Sequence, residues 1–293
     1  YFGKHYSWRD SFTGKKSNTG QLHHFTTGDL PCADTNNRTR LRIIKSAEKY
    51  KDAFVFCDGD RTLYNMEGMP VWYLPNVAES YGRGIRDLKI SPKGTITFEI
   101  DEYGAYETDY NGQIIWKAPN NGIVSGDSIE HYHHEFTRLN NGHYLALAQQ
   151  FCYWKQPVRP GDSLLILEKK QIKHADPSAT YVPTPMGTLI EYDQKGDVVW
   201  SWKSSAYLNE SNFFHERTKD RTMVMHGHEN SFFFDEKHKA IYLNFRNQNS
   251  IIKIKYPEGN LLRIFHGTND ALNSNPAEAL FCGQHSCSIT QEG

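Results

Sequence analysis

No apolar run in this 293-residue chain comes near the roughly 18 consecutive residues that a transmembrane helix needs, so no membrane-spanning helix is expected. Neither sign of charge dominates. Lys and Arg number 33, Asp and Glu number 34, and the formal net charge is -1, with the basic residues scattered along the chain. That leaves no electrostatic case for nucleic acid or an anionic membrane surface as partner. No 10–15-residue amphipathic helix recurs between strand-like runs, which excludes alternating parallel α/β architecture. No CxxC pair occurs among the five cysteines, which argues against a structural zinc site.

Two further scarcities bear on compartment. The chain starts at Tyr1, with neither Met nor a signal peptide, and is expected to be processed, trimmed or a fragment; this is no argument for the cytoplasm. Five cysteines (Cys32, Cys57, Cys152, Cys282 and Cys287) cannot all pair within one chain. Cys282 and Cys287 bracket a short loop and could form a local disulfide in an oxidising compartment; buried separate thiols are the equally weighted alternative.

What the chain does have is aromatics, with 17 Tyr, 16 Phe and 6 Trp, and these favour strands and wide apolar surfaces. Residues 1–50 read as a polar, irregular segment with a turn at 26–31 and one short amphipathic helix around 43–50. From residue 51 onward a repeat takes over. A strand pair closed by a glycine turn and ending in hydrophobic-Trp occurs around Gly68 with Trp72, Gly112 with Trp116 and Gly196 with Trp200. A degenerate copy surrounds Gly259 and ends in Arg263. A second glycine-turn motif precedes it, around Gly94, around Gly142 and at Gly293. Two hairpins per unit make four-stranded units. Such units hide their apolar faces only by stacking, so the expected fold is all-β, a β-propeller of four-stranded blades over residues 51–293. Insertions at about 155–185, rich in proline, and 201–225, poor in apolar periodicity, are expected as loops near a substrate entrance.

The stretch from His226 to Asn249 reads as one such opening hairpin, with strands at 231–234 and 240–245 and a polar turn centred near Lys237. His228 and Arg246 are equidistant from residue 237 and therefore face each other across its open end. Asn230, two residues from His228, falls on the same side of a regular strand. Aligning the hairpins on their turns puts Arg86, His134, His228 and His285 at one shared position, eight residues before Gly94, Gly142, Glu236 and Gly293. In a propeller the first strand of each blade lines the channel. These four side chains are then expected to meet at one mouth of it.

A cationic, histidine-rich cup admits two chemistries. Histidines 131, 133, 134, 226 and 228 could supply nitrogens to a metal, but a channel-facing Arg246 would repel a cation, and no metal is assigned. Alternatively an imidazole acts as nucleophile and forms a covalent adduct, with Arg246 gripping donor oxygens in a bidentate fork. A noncatalytic propeller that binds an anionic ligand, such as a sulfated glycan, is the reading from a different class.

The residues that carry this pattern resemble the bacterial arylsulfate sulfotransferases that work without a nucleotide cofactor. They are Thr27-Gly-Asp-Leu-Pro31, Gly68-Met-Pro-Val-Trp72-Tyr-Leu-Pro75, His133-His-Glu-Phe-Thr-Arg-Leu-Asn-Asn-Gly142, His228-Glu-Asn230-Ser, the run from Asn244 through Arg246 and Asn249, and Gly283-Gln-His285. The resemblance implies a six-bladed propeller with its active site at the channel. It implies His285 as a transiently sulfurylated nucleophile. His228, Asn230 and Arg246 fall at sulfate-binding positions, and a further histidine at His133 or His134, with strand register favouring His134. A sulfo group would pass from an aryl sulfate donor to a phenolic acceptor by a ping-pong reaction, with no cofactor. Family members are typically periplasmic or secreted, and a homodimer is compatible with the reading. The family's proteins are longer and commonly carry an extra N-terminal β domain, for which this chain has little room.

Overall fold

The computed structural model describes residues 41–46, 48–59, 61–75, 84–101, 103–156, 180–207, 227–267 and 281–289. The expected turn at 26–31, His226, Cys32 and Gly293 lie outside the described residues. The chain divides into two compact units, residues 1–74 and 75–293.

In the first unit β1 (Phe54–Cys57), β2 (Thr62–Asn65) and β3 (Pro70–Tyr73) form a three-stranded antiparallel sheet in chain order. The helix expected around 43–50 is reduced to one 3₁₀ turn, Glu48–Tyr50, with no buried residue. An isolated amphipathic turn with no apolar face to bury has nothing to hold a longer helix.

The second unit holds three four-stranded antiparallel sheets, each a meander in chain order. The first comprises β4 (Ile85–Ile90), β5 (Ile96–Ile100), β6 (Gly104–Thr108) and β7 (Ile114–Lys117). The second comprises β8 (Phe136–Arg138), β9 (Tyr144–Gln156), β10 (Thr180–Tyr192) and β11 (Val198–Lys203). The third comprises β12 (Glu229–Asp235), β13 (Ala240–Phe245), β14 (Ser250–Lys255) and β15 (Leu261–His266). The architecture is all-β, built from the four-stranded units the repeat predicts.

The glycine-turn motif ending in hydrophobic-Trp is the last hairpin of each sheet. Gly68, Gly112, Gly196 and Gly259 sit at φ of 77, 81, 90 and 80°, in the left-handed region where a Cβ is costly, and this is why the repeat keeps glycine there. The insertion expected at 155–185 begins and ends as regular structure. β9 and β10 pair without interruption from Tyr144↔Tyr192 to Gln156↔Thr180, so its flanks extend a hairpin. The loop expected from residue 201 likewise starts later, because β11 continues to Lys203 and is followed by the 3₁₀ turn Ser204–Ala206.

Strand alternation gives the middle sheet two apolar faces. Tyr144, Ala146 and Ala148 with Ile190 and Tyr192 meet Ala105, Trp116 and Ala118 of the first sheet. Leu145, Leu147 and Leu189 meet Phe232, Ile241, Leu243, Ile252 and Ile254 of the third. Trp116 stacks on Tyr144 with ring centroids 3.8 Å apart. A buried Arg138–Glu107 pair, to which the Tyr144 hydroxyl is bonded, crosses the first interface and satisfies its own polar groups there. Sheets stacked face to face in chain order are the local arrangement expected of a propeller. On the outer face of the third sheet Phe233, Tyr242, Ile251 and Phe265 line a cavity of about 540 Å³ beneath residues 281–289. Cys282 and Cys287 stand as separate thiols rather than a disulfide, and burial pushes the Cys287 thiol up to about 11.

Candidate active site

Each sheet of the second unit contributes to one cluster from the N-terminal end of its first strand. Arg86 lies at the start of β4, His134 two residues before β8, and His228 immediately before β12. His285 comes from the irregular segment 281–289. The rings of His134 and His228 have centroids 5.7 Å apart, and those of His134 and His285 are 5.4 Å apart. The position found by counting back from the turns therefore does converge.

The backbone at this position is unusual. Non-glycine residues with positive φ include Asp87 (54°), His134 (66°), His228 (52°) and Ser286 (75°), each at the shared position or one residue beyond it. Such conformations cost free energy, and they persist where surrounding structure imposes them, as functional sites often do. Here the imposed turn lifts each side chain off its sheet and toward the common centre.

At three of these four positions an acid follows the residue that faces the cluster. Arg86-Asp87, His134-Glu135 and His228-Glu229 each pair a residue that faces the cluster with a carboxylate that turns back into the sheets. Asp87 Oδ2 accepts the Phe136 N–H at 2.8 Å and so ties β4 to β8. Lys89 bridges Asp87, at 2.7 Å, and Glu135. Burial, set against Lys89, raises the Glu135 carboxyl to about 7. Glu229 is buried and accepts the Gly187 N–H at 2.8 Å and the Ser204 hydroxyl at 3.0 Å, tying β12 to β10. These tethers are not read by a search for histidine partners, though the acid repeated directly after Arg86, His134 and His228 marks them.

Arg246 opens a 3₁₀ turn, Arg246–Gln248, that Asn249 ends in the left-handed conformation. Its side chain is exposed, and Nη1 donates to Asn247 Oδ1 at 3.2 Å. Arg86 forms an ion pair with Asp101 at 2.6 Å. The two guanidinium groups act on the histidines together with burial. Burial first, then Arg86, His285 and His228, bring His134 down to about 4. Burial and Arg246 lower His228, and burial, Arg246 and Arg86 lower His285. All three imidazoles are therefore neutral at neutral pH, the form in which a ring nitrogen has a lone pair to offer.

His133 packs edge-on against His134, with ring centroids 5.2 Å apart. Its Nδ1 lies 3.0 Å from His134 Nδ1, so one of the two donates to the other. His131 packs edge-on against Phe151, with centroids 5.2 Å apart. Among the described residues no three His, Cys, Asp or Glu side chains are placed to hold a metal ion.

Asn230 reaches the cluster by a route that strand alternation does not give. β12 begins only at Glu229, and its pairing with β13 slips between Glu229 and Ser231, so Asn230 is the extra residue of a bulge. Its side chain is buried. Nδ2 donates to the Gln284 carbonyl at 3.1 Å, and Oδ1 accepts from Asn244 Nδ2. It therefore stands directly beneath the residue preceding His285.

Several solved structures are similar at low identity. A streptogramin B lyase is 12% identical, with 70% of this chain and 47% of that one covered and a TM-score of 0.35. The hydrazine synthase of Kuenenia stuttgartiensis is 13% identical over 73% of this chain and 58% of that one, with a TM-score of 0.40. The Cps50 (Swd1) β-propeller domain of Myceliophteria thermophila is 10% identical over 78% and 88%, with a TM-score of 0.24. The chain thus spans about half the length of the first two. No curated protein sequence matches it. The arylsulfotransferase (ASST) family model matches residues 155–293, the part of the chain that contains His228, Asn230, Arg246 and His285. Through that region, just under half of its length, the chain is similar to the arylsulfotransferase family.

Proposed function

We propose that the protein transfers a sulfo group from an aryl sulfate ester to a phenolic acceptor through a sulfo-histidine intermediate on His285, without a nucleotide cofactor. The observation that carries this reading is the convergence of His134, His228 and His285 with Arg246 on one exposed cup. In the first half-reaction a lone pair on the neutral His285 imidazole attacks sulfur. The N–S bond forms, the S–O bond breaks, and the aryl oxygen leaves as phenolate and takes a proton from water. Arg246 grips the sulfo oxygens, matching their charge with a planar fork. His228 donates to another oxygen, and charge that develops there meets preorganised donors. In the second half-reaction the acceptor oxygen attacks sulfur and the N–S bond breaks. The acceptor's proton is lost to water as the new O–S bond forms, which balances the proton taken up by the leaving phenolate, and the neutral His134 ring accepts the acceptor's hydrogen bond.

Asn230 supports this by holding the His285 segment through the Gln284 carbonyl. The three stacked sheets are, in this reading, blades of a six-bladed β-propeller with the cup at one mouth of its channel, in a periplasmic or secreted protein. The test is incubation with a chromogenic aryl sulfate at varied phenol concentration. Release of the aryl alcohol should accelerate with phenol, and double-reciprocal plots should be parallel, as a two-step covalent mechanism requires. Release that ignores phenol would mark hydrolysis, with water as the acceptor, and no release at all would leave an anion-binding protein.

A further inference from the structure

His285 is not on a strand. Residues 281–289 contain no regular element, and Cys282, Gly283, His285 and Ser286 are all exposed, so no backbone ladder fixes the ring that the proposed chemistry requires to be fixed. A set of side-chain amides takes the place of the ladder. Gln284 Nε2 donates to Asn244 Oδ1 at 2.7 Å and to the Ser250 carbonyl at 3.1 Å. The main-chain carbonyl of Gln284 accepts from Asn230 Nδ2 and from Asn244 Nδ2, each at 3.1 Å. Asn244 Nδ2 also donates to Asn230 Oδ1. One residue earlier, Gly283 N donates to Asn249 Oδ1 at 2.6 Å.

Asn244 is the hub of this set. It is fully buried on the central strand β13, both of its amide hydrogens and its oxygen are engaged, and it reaches Gln284 through side chain and main chain at once. A buried amide costs free energy unless its bonds are made, so such a network holds one arrangement and penalises others. The bonds converge on the peptide immediately before His285, where they set the direction in which its Cα–Cβ bond leaves the chain.

The geometry points to Asn244 and Gln284 as positioning residues for His285, acting with Asn230 as an amide clamp on the peptide before it. This rests on the proposed role of His285 as nucleophile, since a clamp on an idle histidine would have no catalytic effect. A displacement of about 1 Å can cost about 100-fold in rate. Asn244→Ala and Gln284→Glu are therefore expected to lower kcat about 100-fold and to leave the KM for the donor within about threefold, because the sulfo group is gripped by Arg246 and His228. In the His285→Ala background Asn244→Ala should have no further effect on rate.

Hydrogen–deuterium exchange of the full chain separates the clamp from the chemistry. In Asn244→Ala and in Gln284→Glu, exchange over residues 281–289 should rise at least tenfold while β12, β13 and β14 keep wild-type protection. Unchanged exchange over 281–289 would overturn the clamp whatever the activity. Exchange that rises equally across the whole third sheet would also overturn it, because it would mark a general loss of stability. Selective loosening in a protein whose wild type shows no transfer would uphold the clamp and sink the sulfo-transfer reading.

Discussion

The main-chain N–H of Arg246 donates to the carbonyl of His228 at 3.1 Å, closing the open end of the β12–β13 hairpin. Asn247 N repeats the bond to Gly227 O one step further out. A guanidinium and an imidazole 18 residues apart thereby leave the same edge of one sheet. In the proposed reaction the first supplies the charge that holds the sulfo group, and Arg246→Lys tests it. A lysine keeps the charge and loses the planar pair of donors. The loss of a hydrogen bond to a charged group is worth about 1.5–3 kcal/mol, so kcat/KM for the aryl sulfate should fall by about one to two orders of magnitude. Steady-state kinetics decide it, and an unchanged kcat/KM would mean that Arg246 does not touch the donor.

His285→Ala removes the group to which sulfur would be transferred. Turnover should fall by about four orders of magnitude or more, with the melting temperature within a few degrees of wild type because the ring is exposed. Quantifying aryl alcohol release by the purified variant is enough. Near-normal turnover would place the nucleophile elsewhere, and His134 and His228 would be the next to replace.

The pH dependence follows from neutral imidazoles. Because His285 is lowered from its ordinary value of 6.5, its lone pair stays available well into the acid range. The acid limb of the kcat/KM profile is expected below pH 6.5, and a limb at or above 6.5 would contradict the surroundings described for the ring. Stability should move in the same direction. His134 is brought down to about 4 in the folded protein, so between about 4 and 6.5 the unfolded chain binds the extra proton. Folding stability is then undiminished above the ordinary value and declines as pH falls toward about 4. His134→Gln should flatten part of that decline in urea-unfolding midpoints measured from pH 7 to pH 4.5.

The repeat was the legible part of this fold. Gly68, Gly112, Gly196 and Gly259 mark the last hairpin of each sheet because only a left-handed turn closes it, and a turn of that kind leaves a trace in sequence. The shared position of Arg86, His134 and His228 followed by counting from the turns, since a fixed hairpin length places its first residue, whereas His285 joins them from a segment that holds no strand. The placement of Asn230 was legible only in outcome. Strand alternation predicted its side, whereas a bulge at Glu229–Ser231 puts it there, and no residue type marks a bulge of this kind. Asn244 and Gln284 were quoted as parts of motifs and not as working residues. Their role depends on contacts between segments 40 residues apart, which local periodicity does not encode.

Glu229 shows what holds the cup in place. Its carboxylate is buried between the second and third sheets and accepts from Gly187 N at 2.8 Å and Ser204 Oγ at 3.0 Å. Gly187 has no room for a side chain, since a Cβ there would lie 2.6 Å from Glu229 Cγ. Burial raises the Glu229 carboxyl while those bonds oppose the rise, so a neutral amide of the same shape is tolerated better than a truncation. Glu229→Ala would leave the Gly187 N–H buried without its acceptor at a cost of about 1–3 kcal/mol, and would free the backbone that turns His228 inward. Both stability in urea and kcat should fall. Glu229→Gln keeps one oxygen to accept from Gly187, so it should retain most of the stability and, with His228 still aimed, most of the rate. If the two variants proved equally impaired in kcat while Glu229→Gln remained as stable as wild type, the carboxylate would be acting on the chemistry through its charge and not through the position it gives His228.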